Sequence, residues 1–99
     1  MAAEHDRLVH RLRAYAAEGH SAPEVLRWLR RELVVLQGEN LSAYTFIYCL
    51  HEAFDMDLQV ALRVQAWKEM GWGGVMSTDA LEALLGRLVP RNGEVNESY

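Results

Sequence analysis

Apolar side chains recur along this chain every three or four positions, the spacing that gathers them on one face of an α-helix, while polar residues fill the positions between. From Ala3 to Glu18, Leu8, Leu12 and Tyr15 keep that period, and Gly19 stops it. Ser21-Ala-Pro23-Glu24 then has the form of a capping box with proline in the first turn, so a second helix begins at Ala22. Its buried stripe is Val25, Leu26, Leu29, Leu33 and Leu36, and Gly38 ends it. Ser42 can cap a third helix over Ala43 to Phe54, and Asp57 a fourth over Leu58 to Met70 with apolar members Leu58, Ala61, Leu62, Trp67 and Met70. Gly71 closes the fourth helix as a left-handed cap, with Trp72 folded back on its last turn. Ser77 or Thr78 opens a fifth helix, in which Leu81, Leu84, Leu85 and Leu88 repeat until Pro90. No segment alternates with period two over a useful length. The expectation is therefore an all-α fold, a single compact bundle of four to five short helices over residues 1–90, followed by a polar, mobile tail at 91–99.

Composition narrows the function classes. A chain of 99 residues, 51% hydrophobic, can bury roughly two thirds of its unfolded surface, enough for one core and no second domain. With Cys49 as its one cysteine it forms no internal disulfide, and charges of both signs near the N-terminus leave no apolar signal-peptide core; the expected location is cytoplasmic. The longest stretch free of charged side chains, Asn40 to Leu50, falls well short of the ~20 apolar residues that span a bilayer. No membrane association is expected.

The net charge of −4 is unevenly spread. Up to Val34 six arginines face five acids, whereas from Val35 onward four bases face nine acids. Between Arg31 and Arg63 there is no Lys or Arg, and Glu32, Glu39, Glu52, Asp55 and Asp57 all fall in that gap. Such a field repels nucleic acid and anionic lipid and speeds encounter with a basic partner.

Catalytic chemistry finds little support in the residue spacing. His51-Glu52-Ala-Phe-Asp55 has the start of a zinc-protease HExxH signature, but Asp stands where the second histidine belongs, and no third ligand follows. Cys49 and His51 are two positions apart and point to different sides of a helix, so they form no dyad. Ser21, Ser42 and Ser77 stand where helix caps are needed, and Gly71-Trp72-Gly73-Gly74 lacks the preceding strand and following Lys-Ser/Thr of a phosphate loop. The expectation is a protein that is not an enzyme, with no catalytic residues, no cofactor and no metal. Arg7, Arg11, Arg27, Arg30 and Arg31 could form a basic stripe, but Glu4, Glu24 and Glu32 sit among them, so a solvated face with local ion pairs is preferred to a nucleic-acid surface.

Helix three is patterned on two sides. Ala43, Phe46, Ile47, Leu50 and Phe54 make a core stripe, and Tyr44, Tyr48, His51, Glu52 and Asp55 make a second. Tyrosines beside carboxylates suit a protein-binding patch, in which amphipathic rings anchor and charges steer. The alternative is that both tyrosines pack on helix one or five with their hydroxyls in solvent. The candidate partner-binding residues are Tyr44, Tyr48, Glu52, Asp55 and Asp57, with Glu39 at the rim.

The segment Leu41 to Trp67, LSAYTFIYCLHEAFDMDLQVALRVQAW, reads as an apolar helix, an acidic break and a helix opening with Leu-x-x-Ala. It resembles the element I-x-x-L-R-x-x-x-G-L-x-L-x-E-A of the ribosomal stalk protein's C-terminal domain and of small immunity proteins encoded beside bacterial polymorphic toxins. Met56 stands in place of the glycine and Gln59-Val60-Ala61 in place of Glu-Ala, and the stalk domain's strands have no counterpart. Small size, acidity and all-helical pattern resemble the immunity class; the paired adjacent tyrosines of colicin-nuclease immunity proteins are replaced by Tyr44 and Tyr48, one turn apart. The resemblance implies a cytosolic protein that binds a cognate toxin, basic where the toxin attacks nucleic acid, in a heteromeric complex that occludes the toxin's active or substrate-binding surface. Two rivals stand beside it: a helical adaptor using the same stripe, and a small DNA-binding regulator using the five arginines.

Overall fold

Why the second helix starts where it does is visible at atomic level in a computed structural model of the chain, which describes residues 2–38 and 42–90, with side chains from Asp6 onward. Ser21 Oγ accepts the Glu24 backbone N–H at 3.3 Å, and the Glu24 carboxylate accepts the Ser21 N–H at 2.9 Å. That second bond holds the Glu24 carboxyl below its ordinary pKa. The reciprocal pair satisfies two of the donors that a helix start leaves open, and such a cap is worth about 1 kcal/mol.

Five α-helices follow one another among the described residues: α1 (Ala2–Ala17), α2 (Ala22–Gln37), α3 (Ala43–Phe54), α4 (Leu58–Arg63) and α5 (Thr78–Leu85). The all-α bundle inferred from periodicity is the observed fold. Ser42, Asp57 and Ser77 cap α3, α4 and α5 as their positions imply. α1 lies chiefly against α3, α2 against α5, and α4 returns onto α3. Leu8 and Leu12 of α1, Leu26, Leu29 and Leu33 of α2, and Phe46 and Leu50 of α3 are buried in the shared core. At the α1–α2 connection the Tyr15 ring stacks on both His20 (centroids 3.8 Å apart) and Trp28 (5.1 Å), clasping the two helices across the turn. The segment 91–99, read above as a tail, lies outside the described residues.

The fourth helix departs from expectation. It does not run to Met70: α-helical geometry ends at Arg63, two short 3-10 turns follow at Val64–Ala66 and Lys68–Met70, and Trp67 between them is extended, with φ −63° and ψ 128°. Its backbone forms an isolated parallel bridge to Met76, in which Lys68 N–H donates to Met76 O at 3.0 Å and Met76 N–H to Ala66 O at 2.7 Å. The break swings the Trp67 indole fully into the core, where Nε1–H donates to Thr78 Oγ1 at 3.2 Å and the Arg27 guanidinium lies 5.6 Å from the ring centroid. Within α4 itself it is Ala61 that faces the core, so Leu58 (52% exposed) and Leu62 (47%) lie toward solvent, while Val64, Trp67 and Met70 are buried beyond it. The stripe that placed Leu58 and Leu62 inside is thus corrected.

Smaller corrections have local causes. α5 ends at Leu85, because Gly86 takes φ 60° and its N–H bonds Glu82 O, so Leu88 reaches the core from the segment beyond the helix. Leu36, in the last turn of α2, is 46% exposed rather than core. Gly71 is left-handed as anticipated (φ 82°), but Trp72 meets the ring of Phe46 on α3, edge to face at 5.9 Å.

Candidate protein-binding face on α3

Twelve residues from Ala43 to Phe54 form a helix that buries Phe46, Ile47, Cys49, Leu50 and Ala53 and leaves the opposite side outward. Tyr44 is 77% exposed and Tyr48 38% exposed, so the outer tyrosine stripe exists as a surface, and Glu52 continues it one turn on, half-buried. The alternative in which both rings pack on a neighbouring helix does not describe Tyr44. For Tyr48 the two readings merge, since its ring is partly covered while its hydroxyl titrates above the ordinary range. The negative field of Glu52 is the largest cause of that shift, followed by burial and by Asp6.

Asp6, on α1, is the member that sequence reasoning missed. Nothing in the spacing of helix three signals it; only the packing of α1 on α3 brings its charge to Tyr48.

The remaining candidates divide. Asp55 is exposed and occupies the left-handed region (φ 53°, ψ 37°) as the C-cap of α3. Asp57 is exposed but committed locally: its carboxylate accepts the Gln59 N–H at 2.7 Å and caps α4. Glu39 lies outside the described residues. His51, grouped with the outer stripe by its spacing, is half-buried, and its Nδ1 lies 2.8 Å from Met56 O. A carbonyl can only accept, so Nδ1 carries the proton, and this bond ties the ring to the α3–α4 corner.

The charge gap in the sequence is not a gap in space. Arg11 on α1 reaches Glu32 at 2.8 Å, removing that acid from the exposed field, and Arg13 donates to the backbone O of Glu52 at 2.9 Å. The arginine stripe is likewise drawn inward. Arg27 grips Glu69 with two bonds of 2.8 and 2.9 Å, which hold the Glu69 carboxyl below its usual range, and Arg30 Nε donates to Met70 O at 3.3 Å. Two acids of the predicted ion-paired face, Glu24 and Glu32, are found in a cap and a bridge respectively; the partner of Arg27 is Glu69, far away in sequence.

Among the described residues no group of three or more His, Cys, Asp or Glu is arranged to hold a metal ion, and no helix is long and apolar enough to cross a membrane. Cys49 is fully buried, and that burial pushes its thiol pKa up to about 12. The thiolate is the reactive form of cysteine. Native protein at pH 8 is accordingly expected to resist iodoacetamide for hours, whereas protein in denaturant labels at one site; prompt labelling of the native chain would contradict the burial. Comparison of the chain with known protein families, curated proteins and solved structures returns no match.

Proposed function

We propose that this protein is an immunity protein, which binds the toxic domain of a bacterial toxin in the cytosol and neutralises it by covering the active or substrate-binding surface. The observation that carries this reading is the outer face of α3, where Tyr44 and Tyr48 stand exposed among the charges of Glu52, Asp55 and Asp6. Rigid amphipathic rings supply contact area at low entropic cost, and a ring of carboxylates steers a basic partner and selects its orientation. The engagement of Arg11, Arg27 and Arg30 in contacts within the molecule favours this face over the arginine stripe as the one that meets a partner.

Co-expression with the toxin domain encoded beside the gene tests the class directly. Growth should be rescued and a stable complex recovered; absence of both outcomes would end the proposal. Within such a complex, Tyr48→Ala is expected to weaken binding by about 2 kcal/mol, roughly thirtyfold in Kd. Far-ultraviolet circular dichroism of the variant should match the wild type. Unchanged affinity would remove Tyr48 from the contact surface. Asp57→Asn separates charge from structure, because Asn caps a helix as well as Asp does. It should slow association at low salt without lowering stability, and a stability loss above about 1 kcal/mol would show that the carboxylate itself is needed at the cap.

A further inference from the structure

Between the second half of α1 and the segment that follows α5 lies a cavity of about 720 Å³ that the proposed α3 face does not use. Its size falls in the range of small-molecule sites, roughly 300–1,000 Å³. On the α1 side the space is bordered by the small residues Ala14, Ala16 and Ala17, while Leu88 is drawn into the core and Val89 and Pro90 form the opposite wall. Three further residues complete the lining: His10, Arg13 and Arg87. None of the described lining residues is acidic.

Arg13, one of the lining residues, carries a polar atom that the fold leaves unsatisfied. Arg13 spends a terminal nitrogen on Glu52 O, but its Nε is buried and meets no acceptor among the described residues. A buried donor left without a partner costs about 1–3 kcal/mol, and almost all such groups in folded proteins are satisfied. Arg87 is exposed and takes part in no ion pair with the described residues. Two guanidinium groups and an imidazole thus border one apolar space with no anion among its described walls. Guanidinium forks pair best with planar, two-oxygen acceptors, and the alanine, leucine and valine surface calls for an apolar body attached to that head.

We propose that this cavity binds an amphipathic carboxylate, its head group set between Arg13 and Arg87 and its apolar portion lying against Ala14, Ala17, Leu88 and Val89. The site is independent of the toxin-binding reading, since it uses no residue of the α3 stripe.

Calorimetric titration of the full chain with sodium octanoate, octan-1-ol and inorganic phosphate tests the assignment. Octanoate should bind saturably at one site, and octanol and phosphate at least about tenfold more weakly, since a hydrogen bond to a charged group is worth about 1.5–3 kcal/mol. Arg87→Gln should lower octanoate affinity by a similar factor and leave octanol unchanged. Ala14→Leu, which fills the space from an exposed helical position, should weaken both. Arg31→Gln, exposed on α2 and outside the cavity lining, should change neither. Octanol or phosphate binding as tightly as octanoate, or equal effects of the two arginine variants, would overturn the proposal. So would failure of octanoate to bind the wild type.

Discussion

Trp67→Ala is expected to lower the stability of this protein by about 3–5 kcal/mol, the range found for emptying a large aromatic site in a core. A domain of this size is held together by roughly 5–15 kcal/mol in total, so the variant should stand close to unfolding at room temperature. Three losses coincide at the position. The fully buried indole leaves a void, the Thr78 hydroxyl loses a donor at 3.2 Å, and the Arg27 guanidinium loses the ring beneath it. At about 4–8 °C per kcal/mol for a domain of this length, the melting temperature should fall by on the order of 15 °C or more. Trp67→Phe keeps most of the volume and forfeits the indole N–H, so it should lose about 1–2 kcal/mol. A Trp67→Ala variant that melts within two or three degrees of wild type would show that the core does not depend on the broken fourth helix.

Gly74→Ala is the second large effect, and its cause is steric rather than conformational. A methyl group built on Gly74 would fall on the backbone of Ala66, at its Cα, carbonyl carbon and carbonyl oxygen. Backbone cannot step aside as the end of a flexible side chain can. The same Ala66 carbonyl accepts the Met76 N–H at 2.7 Å, and the Lys68 N–H to Met76 O bond lies beside it, so relieving the overlap opens the bridge. Overpacking of this kind costs about 1–3 kcal/mol, and each bridge hydrogen bond about 1 kcal/mol more. The neighbouring Gly73 makes a control. It has a left-handed φ of 89° but open space around it, so Gly73→Asn meets only the modest penalty of a residue that tolerates that region. Chemical denaturation should rank Gly74→Ala as clearly the more damaging of the two. The reverse order would mean that the loop from Gly71 to Ser77 can shift as a body at little cost.

The two positions also mark where the sequence stopped being informative. Helix starts were legible because their chemistry is local: Ser21 with Glu24, Ser42, Asp57 and Ser77 each satisfy donors within three residues of themselves. The end of α4 was not. Leu58, Ala61, Leu62, Trp67 and Met70 keep helical spacing, yet the chain leaves the helix so that Trp67 can pair with Met76, a choice governed by contacts that periodicity does not encode. The candidate face divides on the same line. The outward course of Tyr44, Tyr48 and Glu52 follows from one helix's own period, and Asp57 was recognisable as both a cap and a charge. Asp6 beside Tyr48, Arg11 on Glu32 and Arg13 beneath Glu52 depend on how α1 is seated on its neighbours, which no single segment specifies.

The ring stack of Tyr15 on His20 and Trp28 has an optical consequence. Trp28 is half-exposed in an aromatic clasp at the α1–α2 turn, whereas Trp67 is sealed in the core at the broken end of α4. Their fluorescence should therefore differ in colour, with Trp67 emitting to the blue of Trp28. With Trp72, half-buried against Phe46, replaced by Phe, the chain can report without any attached dye on the loosening of its α1–α2 turn and, separately, on the opening of its interior.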